Sequence, residues 1–124
     1  MDRERFKEGF LHIFKAAGYS LAGLRTGVRL SLAFRQECGV FLALIVLLAL
    51  CGKPLVTWLV ALGAWILVMM AELINTAIEE ALNLITRDYN IAVKNAKDMA
   101  SAAVFLLLVL NAALWFCIFI LGLF

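Results

Sequence analysis

The 124 residues suffice for one compact domain, but 65% are hydrophobic and only 16% are charged. A soluble domain this small buries too little of its chain to hide so much apolar surface. An ordinary soluble protein is therefore excluded, and the chain reads as an integral membrane protein. A formal charge of +2 is too small to point to nucleic acid, and the first long apolar run begins too late for a secretory signal peptide. Cys38, Cys51 and Cys117 fit no zinc or redox spacing and read as small buried hydrophobes.

Residues 2 to about 29 form one or two amphipathic helices by pattern. Phe6, Phe10, Ile13, Phe14, Ala17, Leu21 and Leu24 recur at helical spacing, with charges on the other faces. No stretch there is long enough to span a bilayer, so the segment is expected to lie in the interface. Gly18, Gly23 and Gly27 weaken its continuity and allow a bend. A first span is predicted from Leu32 to Cys51, with Arg35, Gln36 and Glu37 near its start. Gly52-Lys53-Pro54 is a tight turn. A second span starts near Leu55, stays uncharged through Ala71 and continues as helix to about Thr86. A polar connector over 87–98 leads to a third span, uncharged from Met99 to Phe124, whose helix takes in residues from about 94. About 20 residues cross a bilayer, so each span is long enough. The expected fold is an all-α membrane protein of one domain over residues 1–124, with three transmembrane helices and an N-terminal interfacial helix.

Of the eleven lysines and arginines, only Lys53 falls on the far side of these spans. The positive-inside rule then puts the N-terminus in the cytoplasm and the C-terminus outside, and the bacterial inner membrane is the expected location.

The most informative segment is Glu72–Asn83. At about 100° per residue, Glu72, Asn75, Thr76, Glu79 and Asn83 share one stripe roughly 100° wide. Carboxylates and amides on one face of a membrane helix are costly and mark function more often than glue between helices. Glu72 lies about 26 Å along the helix at ~1.5 Å per residue, just inside an apolar core about 30 Å thick. Partial desolvation suits it to take a proton. Glu79, two turns on, stands among headgroups and water and suits a hard cation such as Mg²⁺. Lys94, Lys97, Asp98 and Ser101 share a face at the start of the third span. Alone they read as interfacial anchors; opposite the stripe they read as the other wall of a site, with lysines to neutralise phosphates. Asn111, on another face, reads as interhelical glue.

A carboxylate base, a magnesium ligand and lysines near a membrane surface suit phosphoryl transfer to a lipid hydroxyl. No Walker loop or protein-kinase motif is present, so any nucleotide site is unorthodox. Lys15-Ala16-Ala17-Gly18-Tyr19-Ser20, Gly23-Leu24-Arg25, Ala33-Phe34-Arg35-Gln36-Glu37, Glu72-Leu73-Ile74-Asn75-Thr76-Ala77-Ile78-Glu79 and Ala96-Lys97-Asp98-Met99-Ala100-Ser101-Ala102-Ala103 together resemble the prokaryotic diacylglycerol kinase family. The resemblance covers residues 12 to about 120 in order.

It implies a homotrimeric enzyme, with sites shared between subunits, that uses ATP to phosphorylate membrane diacylglycerol to phosphatidic acid. Glu72 would be the base. Glu79 would bind Mg²⁺ and the nucleotide phosphates, with Asn75, Lys97 and Asp98 completing the nucleotide site and Tyr19, Asp88 and Asn90 beside it. Ala16, Tyr19, Ser20, Arg25, Arg35, Gln36, Glu37 and Ser101 would join Glu72 on the lipid side. Undecaprenol kinases also belong to the family, although Ala33-Phe34-Arg35-Gln36-Glu37 is more similar to the diacylglycerol branch. The family usually carries a glutamate, a second metal ligand, where this chain has Ser31, and its diacylglycerol members an arginine where it has His12. With Ser31, Mg²⁺ would be held by Glu79, ATP oxygens and water, at a raised Mg²⁺ requirement. Two non-enzymatic readings stay open: a proton-coupled transporter using Glu72, and a membrane scaffold.

Overall fold

The computed structural model describes residues 3–123. The expected helix start at position 2 and the end of the third span at Phe124 lie outside them. The chain is an all-α membrane protein: α1 (Arg3–Leu30), α2 (Leu32–Leu50), α3 (Leu55–Ile85) and α4 (Ile91–Trp115), the last continued by a π-helical turn over Phe116–Ile120. Leu32–Leu50, Leu55–Ile85 and Ile91–Ile120 are each long and apolar enough to cross a bilayer.

α1 is one unbroken helix of 28 residues, continuous through its glycines. The local cost of those glycines leaves the helix intact, and none of the three takes a positive φ. Only its last turns meet the bundle. Phe6, Phe10, Ile13, Phe14 and Leu21 are all more than half exposed in the single chain, as an apolar face waiting for a bilayer would be. Gly27 is buried, and a Cβ there would run into Leu73 Cδ2 and press on Phe34. The missing side chain is what lets α1 lie against α3.

α1 and α2 meet at Ser31, whose backbone is extended (φ −101, ψ 118) and whose Oγ accepts the Phe34 N–H. That is an N-cap, satisfying one of the amides a helix start leaves without a partner. The other side of the elbow is closed by Arg35, whose Nη1 donates to Val28 O (3.1 Å) and Arg29 O (3.4 Å) at the end of α1. The turn between α2 and α3 sits where expected. Gly52 takes φ +59 there, which glycine reaches without steric cost, and Lys53 N donates back to Leu48 O at 3.2 Å.

α4 begins earlier than expected. Asn90 Oδ1 accepts from Ala92 N (2.9 Å) and Val93 N (3.2 Å), so the helix starts at Ile91 and most of the polar connector is its first two turns. Helix needs only a cap and backbone bonds, not an apolar sequence.

The bundle core gathers Leu44, Leu48, Ala61, Trp65, Val68, Val104 and Ile118. Trp65 stacks at a tilt on Trp115, centroids 5.0 Å apart, and donates Nε1–H to Glu37 O across to α2 at 2.9 Å. Asn111, 1% exposed, donates from Nδ2 to Ala64 O on α3 (3.1 Å) and to Leu107 O (2.9 Å), the interhelical role expected of it. The carbonyl of Ile118, in the wide π-turn, accepts from Lys53 Nζ at 2.9 Å.

Candidate functional site

At the opposite end of the bundle from that turn, α3 presents its polar stripe to the α1–α2 elbow. Glu72 is 7% exposed. Its Oε1 accepts the Ser31 hydroxyl at 2.9 Å and, more weakly at 3.4 Å, the Thr76 hydroxyl one turn on. Both bonds end on one oxygen, Oε1. Glu37 is equally buried. Two buried oxygens here, Glu37 Oε2 and Asn75 Oδ1, have no hydrogen-bond partner. Buried polar atoms are rarely left so, and an unpaired acceptor next to a carboxylate is suited to a ligand that brings donors or a cation.

Glu79, half-buried, follows Asn75 by one turn on the same stripe. One turn further Asn83 Oδ1 accepts from Lys97 Nζ at 2.7 Å, so α4 brings its lysine to the end of the stripe as the wall opposite. Lys94 Nζ pairs with Asp98 Oδ2 at 2.6 Å, both side chains more than half exposed. Asp88, Tyr89, Asn90, Val93, Lys94, Lys97 and Asp98 line a cleft of about 220 Å³. It mixes cations, carboxylates and amides, as a phosphate-bearing ligand with a metal ion requires.

A larger, mostly apolar groove of about 770 Å³ runs between α1 and α3. Ser20, Gly23, Gly27, Leu73, Thr76 and Glu80 are among its walls. It adjoins the stripe through Thr76, the residue that touches Glu72.

The structure thus buries Glu72, Asn75 and Glu37, ties Glu72 to Ser31 and Thr76, and gathers Asp88, Asn90, Lys97 and Asp98 in one cleft. Ser20 reaches the groove, although its hydroxyl donates to Ala16 O at 3.0 Å. Ala16, Tyr19, Arg25, Gln36 and Ser101 are exposed in the single chain and are not gathered with either group. Arg35 is engaged at the elbow. Sequence reasoning missed the contact of Ser31 with Glu72 and the part Thr76 plays beside it. A serine directly before an apolar helical run is an N-cap signal, and it would have put Ser31 at the start of α2, level with the carboxylate.

Among the described residues no three His, Cys, Asp or Glu side chains gather as a metal cage. Mg²⁺ commonly takes one or two protein carboxylates and completes its shell with phosphate oxygens and water. Glu79, one turn from the unpaired Asn75 oxygen, fits that demand.

The family model described as prokaryotic diacylglycerol kinase matches residues 18–119. The chain is 36% identical over 107 residues to a diacylglycerol kinase of Escherichia coli K12, covering 86% of this chain and 88% of that one. It is 32% identical over 107 residues to one from Haemophilus influenzae, covering 86% and 91%. With one from Helicobacter pylori 26695 it is 35% identical over 108 residues, covering 87% and 84%.

Proposed function

Because the chain belongs to the prokaryotic diacylglycerol kinase family, we propose that it is an ATP-dependent kinase that phosphorylates membrane diacylglycerol to phosphatidic acid. The observation that carries the reading is the buried Glu72 carboxylate, with both of its hydrogen bonds on one oxygen, on a helical stripe that borders an apolar groove at Thr76 and reaches the lysine of a polar cleft at Asn83.

Diacylglycerol lies with its acyl chains along the groove and its hydroxyl at Glu72. Glu72 Oε2 accepts the hydroxyl proton as the lipid hydroxyl oxygen bonds to the γ-phosphorus of ATP. The bond from γ-phosphorus to the β–γ bridging oxygen breaks, and ADP leaves with its electron pair. Little covalent chemistry is needed from the protein; position and charge neutralisation supply the acceleration. Lys97 and the other residues of the cleft face the nucleotide, with Asn75, Asp88, Asn90 and Asp98 as its polar partners and Tyr19 at its margin. Glu79 would hold Mg²⁺, which when bound neutralises the phosphate oxygens. Burial of Glu72 keeps bulk water from competing with the lipid hydroxyl. The whole chain acts as one kinase domain in the inner membrane, with its N-terminus in the cytoplasm, where ATP is.

By the family resemblance the assembly is a homotrimer whose sites draw on a neighbouring copy, which would meet Ala16, Tyr19, Arg25, Gln36 and Ser101, all exposed in one chain. The test is transfer of labelled phosphate from ATP in mixed micelles containing diacylglycerol or undecaprenol. Labelled phosphatidic acid is the expected product. Label on undecaprenol alone assigns the other branch. No label on either, with proton flux in liposomes, refutes the kinase.

A further inference from the structure

We propose that Ser31 is a positioning residue for the phosphoryl transfer: its hydroxyl fixes Glu72 so that one carboxylate oxygen is always turned to the acceptor. The inference rests on the reading of Glu72 as the base.

Ser31 does two things with one oxygen. Its lone pair accepts the Phe34 N–H at 3.0 Å, which orients the hydroxyl, and its proton goes to Glu72 Oε1 at 2.9 Å. The accepting role is set by the backbone: an extended residue ahead of α2 must point its side chain at the open amides of the helix. With the acceptor side committed, the hydroxyl is left as a donor, and Glu72 is the group it meets. Ser31 is itself 7% exposed, so water does not readily take its place.

A buried glutamate has three side-chain torsions and no fixed orientation of its own. Thr76, the other donor, lies at 3.4 Å on the same helix and moves with it. Ser31 lies across a helix boundary, 41 residues away in sequence. It therefore fixes the carboxylate relative to the elbow and the groove beside it, not merely relative to α3. The result is a preset rotamer in which Oε2 faces the lipid hydroxyl, an effect on transfer rather than on affinity.

Ser31→Ala and Ser31→Thr, each alone and combined with Glu72→Gln, test the proposal in the micelle assay. Hydrogen bonds to charged groups of this kind predict that Ser31→Ala lowers kcat about tenfold to hundredfold, with KM for ATP and for diacylglycerol unchanged. Threonine keeps the hydroxyl and suits the extended backbone, and should restore at least half of the rate. In the Glu72→Gln background, Ser31→Ala should cost nothing more, because a residue that acts through another loses its effect when that one is gone. Thermal unfolding in detergent is measured alongside, to separate loss of the helix cap from loss of rate in folded enzyme. A normal kcat for Ser31→Ala, a raised KM, no rescue by threonine in folded protein, or additive losses in the double variant would each overturn the proposal while leaving the kinase intact. An unmutated chain that labels no diacylglycerol would instead end the kinase reading, and this inference with it.

Discussion

Replacing Glu72 by glutamine removes the capacity to take a proton while preserving nearly everything else. The structure makes the outcome unusually clean. Both donors, Ser31 Oγ at 2.9 Å and Thr76 Oγ1 at 3.4 Å, converge on a single oxygen. The amide carbonyl can occupy that position and accept both bonds, which turns the NH₂ toward the place where Oε2 stood. The variant is nearly isosteric and keeps both hydrogen bonds, so its fold should be retained. An NH₂ cannot accept the hydroxyl proton. General-base catalysis is worth about 10²–10⁴ in rate, or roughly 3–5.5 kcal/mol at ~1.4 kcal/mol per factor of ten. Turnover of Glu72→Gln, measured as labelled phosphatidic acid per minute at saturating ATP and diacylglycerol, should fall by that factor, with thermal unfolding unchanged or slightly raised. A variant retaining most of its turnover would refute the assignment of the base, whatever the family.

Four further outcomes follow from the same contacts. Ser31→Glu places a second carboxylate beside Glu72, and the Mg²⁺ concentration for half-maximal rate should fall several-fold; because it also removes the donor to Glu72, the rate at saturating Mg²⁺ should not rise, and an unchanged Mg²⁺ titration would count against metal binding at this end of the stripe. Lys97→Met breaks the bond to Asn83 and withdraws a cation from the cleft, so KM for ATP should rise about tenfold, the value of one charge-assisted contact, while KM for diacylglycerol stays put. Gly27→Leu drives a side chain into Leu73 and Phe34 and should cost about 1–3 kcal/mol as overpacking, read as a lower unfolding temperature and faster proteolysis within α1; unchanged proteolysis would mean that α1 does not rest on α3. Asn111→Ala deletes the bonds to Ala64 O and Leu107 O, far from the stripe, and should lower stability by about 1–2 kcal/mol with kcat preserved.

The spans were legible because each is a long apolar run, and a bilayer demands such runs. The turn over 52–54 was legible from Gly52 and Pro54, and the stripe of Glu72, Asn75, Thr76, Glu79 and Asn83 from helical geometry alone. What periodicity reports is local. It gave the face on which Glu72 sits but not the serine that meets it, since a pairing over 41 residues depends on how two helices pack. The start of α4 was missed for a different reason. Hydrophobicity marks where a helix enters the membrane, whereas Asn90 marks where the helix begins, and the two differ wherever a helix extends into water. The guanidinium of Arg35 closes the carbonyls of α1 at the elbow, a role visible only once Ser31 is known to break the helix there. The wide turn over Phe116–Ile120 has no signal in an apolar run, because a π-turn is set by packing and by the Lys53 bond that takes up its carbonyl.

The meeting of Ser31 and Glu72 follows from a length rather than from affinity between the two groups. α2 has 19 residues, and the part of α3 from Leu55 to Glu72 is nearly as long. Two antiparallel legs of roughly 28 Å, at ~1.5 Å per residue, leave the turn at Gly52 and return to the same depth. Whatever stands just before α2 must therefore lie level with whatever stands eighteen or so places into α3. Trp65 and Glu37 form a rung of the same ladder, closer to the turn, and fix the rotation of the legs as well as their height. The depth of the acid, the position of the elbow and the place where α1 leaves the bundle are thus one geometric fact. A helix that could slide or rotate against its neighbour would lose all three together, which is why the outer rungs, remote from any chemistry, belong to the machinery that holds the carboxylate.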